Sequence, residues 1–291
     1  MSKNYKVGIV GYGVVGKGIH KLLKEDVKAV YDPYVSDEAV LEEVINIGLG
    51  GEAMPSREKS DFEDLELIVV CVMTKEGEDG SCDTSIVEES IAWVHNLNPD
   101  AVILVKSAIV PSQVSSIYGK YLNLKLVVSP EYMGESKYFT PFWKYPDPKD
   151  MEGHTWQVFG GQKENTSFCV DVFKRRMSVD CKHIQTDLMT AALCKYMENC
   201  FFALKVTFCN EFYDIAEAYG IDYNELRTCW LADTRINPNH TLVFPKDRGY
   251  GGKCFPKDVK AICRDVEDFA TYDPKLMRAV DEVNSYLRDN E

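Results

Sequence analysis

The fold of this chain is decided by one stretch near its N-terminus, residues 7–16, which read Val-Gly-Ile-Val-Gly-Tyr-Gly-Val-Val-Gly. A short apolar run passes there into a glycine-rich turn, and a helix-like segment follows. In such a strand–turn–helix unit Gly11 permits the tight turn, Gly13 lets the backbone approach a pyrophosphate, and Gly16 lets the helix pack closely on the strand. The N–H groups at the start of the helix would then bind the phosphates. The candidate cofactor-binding residues of this turn are Gly11, Gly13, Val14, Val15 and Gly16.

The next apolar run, residues 28–31, ends at Asp32, which lies 19 residues after Gly13. A carboxylate at this place can accept hydrogen bonds from both ribose hydroxyls of a dinucleotide, and it repels the 2′-phosphate that distinguishes NADP. The stretch therefore predicts NAD as the cofactor. The alternative interpretation is an Asp-Pro turn with a solvated carboxylate.

Further β-branched runs follow along the first part of the chain, at residues 67–72, 102–105, 124–128 and 156–159. The first three are apolar at nearly every position, which is typical of parallel strands buried on both faces. Helix-like segments lie between the runs. The pattern therefore predicts an α/β fold with an N-terminal Rossmann-type, doubly wound parallel sheet.

The second part of the chain has a different character. Residues 187–219 contain no glycine or proline and are predicted to form one long central helix that ends at Gly220. Shorter helices are predicted at residues 223–231, 256–266 and 274–288. We therefore expect an NAD-binding Rossmann-type domain, residues 1–184, followed by an all-helical domain, residues 185–291. Because the long helix is apolar nearly all round, it predicts burial against a second copy of the chain in a homodimer.

Composition excludes several classes of function. The chain has 291 residues, of which 45% are hydrophobic, and this is enough for two cores. Its net charge of −13 argues against a nucleic-acid-binding protein, which needs a basic face. No apolar stretch approaches the roughly 18 residues that cross a membrane, and the N-terminus has no signal-peptide pattern, so we expect a cytoplasmic protein. The ten cysteines lack paired metal-binding spacing, which predicts reduced thiols and no metal site.

The most specific stretch is residues 249–258, Gly-Tyr-Gly-Gly-Lys-Cys-Phe-Pro-Lys-Asp. Its glycines let the backbone pass close to a ligand. Cys254 lies just before a predicted helix start, where the helix dipole and a nearby lysine, Lys253 or Lys257, favour the thiolate. Cys254 is therefore a candidate nucleophile, and Asp258, four residues later, can face the same site. The alternative is a buried structural cysteine.

Several ordered motifs together resemble one enzyme family. They are residues 70–74 (Val-Cys-Val-Met-Thr), 106–107 (Lys-Ser), 129–131 (Ser-Pro-Glu), Lys195 with Asn199, 233–236 (Asp-Thr-Arg-Ile) and the cysteine stretch. The chain resembles the nucleotide-sugar dehydrogenases, which include the UDP-glucose and GDP-mannose 6-dehydrogenases. The resemblance implies an NAD-dependent four-electron oxidation of a sugar primary alcohol to the uronate, through a thiohemiacetal and a thioester on Cys254. The implied substrate is a nucleotide sugar or sugar phosphate.

The resemblance also implies roles for single residues. Lys195 and Asn199, which share one helix face, would stabilise an oxyanion at the sugar carbon. Glu131 and Glu135 would handle water and contact the substrate, and Asp258 would assist as a base. The substrate-binding candidates are Arg235, Tyr250 and Gly251, and the further cofactor-binding candidates are Thr74, Ser107 and Lys257. The ordinary alternatives are a solvated helix lysine, exposed loop carboxylates and a surface arginine.

The chain departs from the family pattern at several places. Ala108 stands where the family has a threonine thought to orient the catalytic water, and Gly134 stands where an arginine is common. Lys253 replaces a small residue and Met73 replaces a proline. Family members carry a third, nucleotide-binding domain, whereas 33 residues follow Asp258 here, so a short form without that domain is expected.

Two other functions stay open at this point. One is a two-electron hydroxyacid or sugar-alcohol dehydrogenase that keeps the Lys195–Asn199 pair but makes no covalent use of Cys254. The other is a catalytically silent NAD-binding homologue.

Overall fold

The computed structural model of the chain describes residues 4–50, 54–133 and 151–289. These residues form two compact units. The first comprises the described residues of 4–75, 83–133 and 151–195, and the second comprises 76–82 and 196–289.

The strands are β1 Val7–Val10, β2 Val27–Tyr31, β3 Leu67–Val70, β4 Lys75–Glu76, β5 Cys82–Asp83, β6 Val102–Val105, β7 Leu126–Val128, β8 Trp156–Gly161 and β9 Lys182–Thr186. The helices are α1 Val14–Leu23, α2 Asp37–Asn46, α3 Ser85–Leu97, α4 Pro111–Lys120, α5 Lys163–Phe173, α6 Leu188–Ala218, α7 Tyr223–Trp230, α8 Phe255–Ala270 and α9 Lys275–Asp289.

The first unit is built on a seven-stranded sheet with the order β2-β1-β3-β6-β7-β8-β9. The five strands from β2 to β7 in this order are parallel, β8 is antiparallel to β7, and β9 is parallel to β8. The chain crosses from one side of β1 to the other, as in a doubly wound sheet. The predicted fold class is confirmed, with two added strands at one edge.

Successive side chains of the central strands enter two separate apolar clusters, one on each face of the sheet. In β1, for example, Ile9 belongs to one cluster and Val10 to the other. Every residue of β1, β3, β6 and β7 is buried, because helices cover both faces. This double burial explains why the strands read as continuous apolar runs in the sequence.

Strand β9 was not predicted. Ile184 is its one aliphatic side chain, and that side chain is 47% exposed. Backbone pairing with β8 holds the strand at the edge of the sheet, and such pairing leaves no hydrophobic pattern in the sequence. The sequence-based boundary at residue 184 falls inside β9, whereas the division between the compact units lies within α6, after residue 195.

The second unit is helical and contains most of α6 with α7, α8 and α9. Helix α6 has 31 residues, which confirms the long helix, and Gly220 follows it with φ +70°. One apolar cluster of this unit joins α6, α8 and α9 around a loop residue; its buried members are Cys200, Ala203, Tyr250, Val259 and Val280. None of the described helices is long and apolar enough to cross a membrane.

Candidate active site

The glycine turn after β1 has the close contacts expected of a dinucleotide-binding turn. Gly11 has φ +89°, and a Cβ there would lie 2.8 Å from the backbone carbon of Cys71. A Cβ on Gly16 would lie 2.1 Å from the Gly11 carbonyl oxygen. Both positions therefore require glycine, for a left-handed backbone at the first and for helix–strand contact at the second.

Gly13 differs because space surrounds it. A Cβ there would meet no atom of the described residues within 4 Å, and Gly13 is the N-cap of α1 without a side-chain cap. Val14, the first residue of the helix, is 53% exposed. The start of α1 therefore combines open space with backbone N–H groups that no side chain caps, which is the environment that a pyrophosphate needs.

Asp32 lies beside this turn at the end of β2. Its carboxylate accepts hydrogen bonds from the backbone N–H of Tyr12 at 2.7 Å and of Tyr34 at 2.9 Å. The Arg57 guanidinium donates to the Asp32 carbonyl oxygen at 3.1 Å and so fixes the backbone there. Below the turn, the buried Tyr12 hydroxyl contacts Nδ1 of His20 in α1 at 2.5 Å. The carboxylate is thus held next to the glycine turn, as ribose recognition requires.

Other predicted cofactor-binding residues follow the neighbouring strands β3 and β6. The Ser107 hydroxyl donates to the Val72 carbonyl oxygen at 2.6 Å and ties the two strand ends together. Thr74 and Ala108 lie close in sequence to this bond and are half-buried. Because carboxyl ends of parallel strands meet at one edge of a sheet, these residues lie on the same edge as the glycine turn.

A buried polar network surrounds Glu131, which follows β7. Its carboxylate lies 3.1 Å from Lys106 Nζ and accepts the backbone N–H groups of Tyr132 and Met133, both at 2.9 Å. Lys106 also donates to Gln157 at 3.3 Å. Burial opposes ionisation of Glu131, but the charges of Lys106 and His154 and the hydrogen bonds to the carboxylate together outweigh it, so the pKa of Glu131 lies below its ordinary value. Glu131 is therefore an ionised carboxylate with fixed partners.

Lys195 lies in the first part of α6, inside the same unit as Glu131. Its ammonium lies 4.9 Å from the centroid of the Tyr132 ring, within cation–π range. The Tyr132 hydroxyl donates to Cys194 Sγ at 3.7 Å. Glu131 thus holds the backbone of the turn that carries Tyr132, and the Tyr132 ring contacts the Lys195 ammonium.

Asn199, one helical turn after Lys195, lies in the second unit, where it takes part in a second buried polar group. Asn199 Nδ2 donates to Asp258 Oδ2 at 2.6 Å, and Lys257 Nζ lies 2.8 Å from Asp258 Oδ1. Asn199 and Asp258 are 3% and 2% exposed. Burial disfavours the Lys257 ammonium, but the charge and hydrogen bond of Asp258, together with smaller effects of Cys82 and Cys254, outweigh burial and raise the pKa of Lys257 above its ordinary value.

Cys254 is the N-cap of α8, the helix that carries Lys257 and Asp258 in its first turn. The Asp258 N–H donates to the Cys254 carbonyl oxygen at 2.8 Å, and the Cys254 side chain is exposed. The thiol thus lies at the positive end of a 16-residue helix dipole, close to a charged lysine. Both features favour a thiolate.

Residues 249–252 precede Cys254 and form a glycine loop. The Tyr250 ring is 3% exposed and packs in the core of the helical unit, which differs from the substrate contact predicted for it. Gly251 is exposed. Arg235 lies in another loop, with an 86% exposed side chain that donates to the Asp233 carboxylate.

Comparison with known proteins identifies the family of the chain. A family model described as the UDP-glucose/GDP-mannose dehydrogenase family, central domain, matches residues 189–286. A putative UDP-glucose 6-dehydrogenase of Bacillus subtilis is 30% identical over 307 aligned positions, which cover 96% of this chain and 67% of that protein. The chain belongs to the UDP-glucose/GDP-mannose dehydrogenase family. The family resemblance of the sequence motifs is thereby confirmed.

Other family members are longer than the chain. The UDP-glucose 6-dehydrogenase of Rickettsia felis is 30% identical over 236 residues, which cover 79% of this chain and 50% of that enzyme. The chain spans about half the length of the curated relatives of this kind.

Solved structures share the fold. A UDP-glucose dehydrogenase from Pyrobaculum islandicum superposes with a TM-score of 0.79 at 23% identity, over 98% of this chain and 69% of that one. A 3-hydroxyisobutyrate dehydrogenase from Mycobacterium tuberculosis superposes with a TM-score of 0.68 at 12% identity. The superposition covers 98% of this chain and 94% of that one. At these identities the likeness concerns the fold alone.

In this family member the predicted site residues fall into two groups. The first unit holds the glycine turn, Asp32, Thr74, Ser107, Glu131 and Lys195, and the second holds Asn199, Arg235, Tyr250, Gly251, Cys254, Lys257 and Asp258. Glu135 and Gly134 lie outside the described residues. Lys257, predicted to bind the cofactor, is paired with Asp258.

Several partners of these residues were missed by sequence reasoning. Lys106 belongs to the 106–107 motif, but its role as the partner of Glu131 was not predicted. Its position at the end of an apolar strand is a signal for a buried lysine, which needs a charged partner. His154 and Gln157 lie in its network, and no sequence feature points to them. Among the described residues, no group of histidine, cysteine or acidic side chains could hold a metal ion.

Proposed function

We propose that the chain is an NAD-dependent dehydrogenase that oxidises the primary alcohol of a nucleotide sugar, similar to UDP-glucose, to the uronate by four electrons. The observation that carries this proposal is the polar group around the buried Asp258, which accepts a hydrogen bond from Asn199 of α6 and pairs with Lys257. Lys257 and Asp258 lie on the first turn of α8, directly after the exposed N-cap residue Cys254. An arrangement of carboxylate, ammonium and thiol at a helix N-terminus is suited to covalent capture of a carbonyl carbon.

The glycine turn and Asp32 would hold NAD. Gly13 and the N–H groups of Val14 and Val15 would bind the pyrophosphate, and the Asp32 carboxylate would accept the ribose hydroxyls. Thr74 and Ser107, at the same sheet edge, would line the rest of the site. NAD supplies the hydride acceptor for each of the two oxidations.

Cys254 would carry the covalent steps. Its thiolate adds to the carbonyl carbon of the aldehyde formed by the first oxidation, which gives a thiohemiacetal. Loss of a hydride from that carbon leaves a thioester, and attack by water breaks the C–S bond and releases the carboxylate. The alcohol, one water and two NAD⁺ thus become the carboxylate, two NADH and three protons. Covalent capture retains the reactive aldehyde between the two oxidations.

Lys195 and Asn199 would stabilise the negative charge on the sugar oxygen. A primary amide has two N–H donors, and Asp258 accepts one of those of Asn199, which orients the other. The Lys257 ammonium favours the thiolate of Cys254. Asp258 would assist proton transfer at the thioester stage. Glu131 and Glu135 would handle water and contact the substrate.

Arg235 and Gly251 would contact the substrate. The Arg235 guanidinium is exposed and paired with Asp233, and its remaining N–H groups can bind phosphate oxygens or sugar hydroxyls. The exposed Gly251 allows a ligand to approach the backbone.

We further propose a homodimer that forms through α6. Apolar side chains 40–75% exposed recur along this helix at spacings of three, four and seven residues, and such a stripe is typical of an interface. They are Leu193, Met197, Phe201, Phe208, Phe212 and Ile215. A second copy of the chain would cover them, and light scattering at micromolar concentration should give the mass of a dimer.

The second candidate function is a two-electron dehydrogenase. Ala108 favours it, because the threonine hydroxyl that the family uses to orient water is missing there. A silent NAD-binding homologue is the third candidate. The complete set of Lys195, Asn199, Cys254 and Asp258 argues against it, since a protein that only binds NAD needs none of these groups.

Cys254→Ser tests the proposal against both alternatives. Purified wild-type protein is mixed with NAD and a panel of nucleotide sugars and simple sugar phosphates, and NADH is measured by absorbance. The proposal expects two NADH per substrate in the wild type, no turnover in Cys254→Ser and unchanged NAD affinity. Cys229→Ser, a change at another exposed cysteine, should behave as the wild type. One NADH per substrate with unchanged turnover in Cys254→Ser would establish the two-electron enzyme instead.

A further inference from the structure

Two buried asparagines hold the backbone of the glycine loop. Asn284 in α9 accepts the Tyr250 N–H at 2.6 Å with Oδ1 and donates to the Tyr250 carbonyl oxygen at 3.1 Å with Nδ2. Asn210 in α6 accepts the Gly249 N–H at 3.2 Å. The two asparagines are 5% and 2% exposed. Consecutive amides of the loop are therefore bonded to two different helices.

The backbone conformation between these bonds depends on glycine. Gly249 has φ +72°, which side chains other than that of glycine rarely adopt. A Cβ at this place would lie 2.5 Å from Asn284 Oδ1. The loop backbone therefore packs directly against the Asn284 carboxamide, and a side chain at position 249 would clash with it.

Arg248 strengthens the attachment to α6. It donates to Asn210 Oδ1 at 2.7 Å and to the Asp214 carboxylate at 2.8 Å. From the other side, Arg288 in α9 donates to the Arg248 carbonyl oxygen at 3.1 Å. Residues 248–250 are thus anchored from both helices.

The residues after this anchored part are exposed. Residues 251–254 are all exposed, Gly252 has φ +80°, and a Cβ on Gly252 would meet no described atom within 4 Å. The segment is held at its start by the two asparagines and at its end by the first turn of α8, where the Asp258 N–H bonds the Cys254 carbonyl. The position of Cys254 on the helix N-terminus depends on both ends.

We propose that Asn284 and Asn210 are positioning residues for the Cys254 thiol. By fixing the amides of residues 249 and 250, they hold the glycine loop so that Cys254 stays at the N-cap of α8, beside Lys257. The catalytic consequence rests on the proposed function, because it assumes that Cys254 is the nucleophile. The effect on the thiol itself does not.

The test compares Asn284→Ala and Asn210→Ala with a matched control, Asn98→Ala. Asn98 is 6% exposed and brackets backbone in the same way, since Nδ2 donates to the Phe62 and Leu65 carbonyls and Oδ1 accepts the Ala101 N–H. The readouts are the thermal midpoint and the rate at which iodoacetamide alkylates Cys254 at pH 7, measured by peptide mass spectrometry. Alkylation of the exposed Cys229 is the internal reference.

We expect each loop variant to lower the alkylation rate of Cys254 about tenfold relative to Cys229, because the thiol leaves the helix N-terminus and the lysine that favour its thiolate. If a substrate is found, kcat should fall on the order of 10- to 100-fold with a smaller change in KM. Asn98→Ala should lower the thermal midpoint similarly and leave Cys254 alkylation within about twofold, since Asn98 bonds the backbone at residues 62, 65 and 101 and none of the loop amides.

Equal Cys254 alkylation rates in the loop variants and in Asn98→Ala would overturn the proposal. If Asn284→Ala does not fold, Asn210→Ala alone decides, because it removes the acceptor of the Gly249 N–H from the other helix. Alkylation needs no substrate. A wild-type protein without dehydrogenase activity would therefore refute the proposed function. The positioning role would still be tested by the alkylation rate of Cys254.

Discussion

Replacing Lys106 with methionine removes the ammonium from a buried carboxylate and keeps the length of the apolar part of the side chain. The Lys106 side chain is 0% exposed and that of Glu131 is 8% exposed, with 3.1 Å between Nζ and Oε2. At an effective dielectric constant of about 20, this separation corresponds to an attraction of about 5 kcal/mol. Loss of one partner leaves the other charge without compensation in the interior. We expect Lys106→Met to lower the free energy of unfolding by about 3–4 kcal/mol.

Urea unfolding followed by circular dichroism measures this cost. Glu131→Gln alone should also be costly, because it strands the Lys106 ammonium, whereas the double variant should lose only about 1 kcal/mol. Lys120→Met is the control, since its pair with Glu88 has side chains 50% and 34% exposed and should contribute less than about 1 kcal/mol. A cost below about 1 kcal/mol for Lys106→Met, or a double variant as unstable as the sum of the single ones, would refute the reasoning.

The same pair has a defined pH dependence. Burial acts to raise the folded-state pKa of Glu131, but the charges of Lys106 and His154 and the hydrogen bonds to the carboxylate together lower it from the ordinary value of 4.5. The unfolded state therefore binds more protons in this range, and stability rises with pH. The contribution is present above about pH 4.5 and is lost as the pH falls through the folded-state pKa. The difference in stability between wild type and Glu131→Gln should accordingly stay constant from pH 7 down to about pH 5 and shrink as the pH falls below about 4.5.

Three further outcomes are expected. Asp32→Ala should weaken NAD binding about tenfold in calorimetry and reduce the preference for NAD over NADP, and an unchanged NAD affinity would count against the ribose contact. Gly249→Ala should lower stability by at least about 1–2 kcal/mol, because of its left-handed φ of +72° and close contacts, whereas Gly119→Ala in the open end of α4 should be neutral or stabilising by up to about 1 kcal/mol. Phe201→Glu should convert the expected dimer to a monomer in light scattering, and Tyr34→Glu, a change at a 95% exposed side chain elsewhere, should not.

The central part of the fold was predictable from the sequence because its strands are buried on both faces. Short continuous apolar runs such as 67–70 and 102–105 are typical of buried parallel strands, and the glycine turn specifies the connection to α1. The edge strand β9 was not predictable, since only backbone pairing holds it. The antiparallel direction of β8 was likewise decided by long-range contacts, which no local pattern encodes.

The candidate site divides in the same way. Cys254, Lys257 and Asp258 are close in sequence. Their position at the start of one helix therefore followed from the motif itself, in which Pro256 favours a helix start. The bond between Asn199 and Asp258 joins residues 59 apart, and only the packing of the helices brings them together. Burial of the Tyr250 ring similarly depends on α9, which no feature of the glycine loop predicts.

The doubly wound core, the glycine turn with its acidic partner, and the cysteine at a helix start could all be predicted from the sequence, because each depends on residues near one another along the chain. The partners of the buried polar and charged side chains, in contrast, depend on the tertiary structure. The ion pair of Lys106 with Glu131, the hydrogen bond of Asn199 to Asp258, and the two asparagines on the glycine loop all join distant segments. Their strength comes from exclusion of water, and that exclusion exists only once the whole domain has packed.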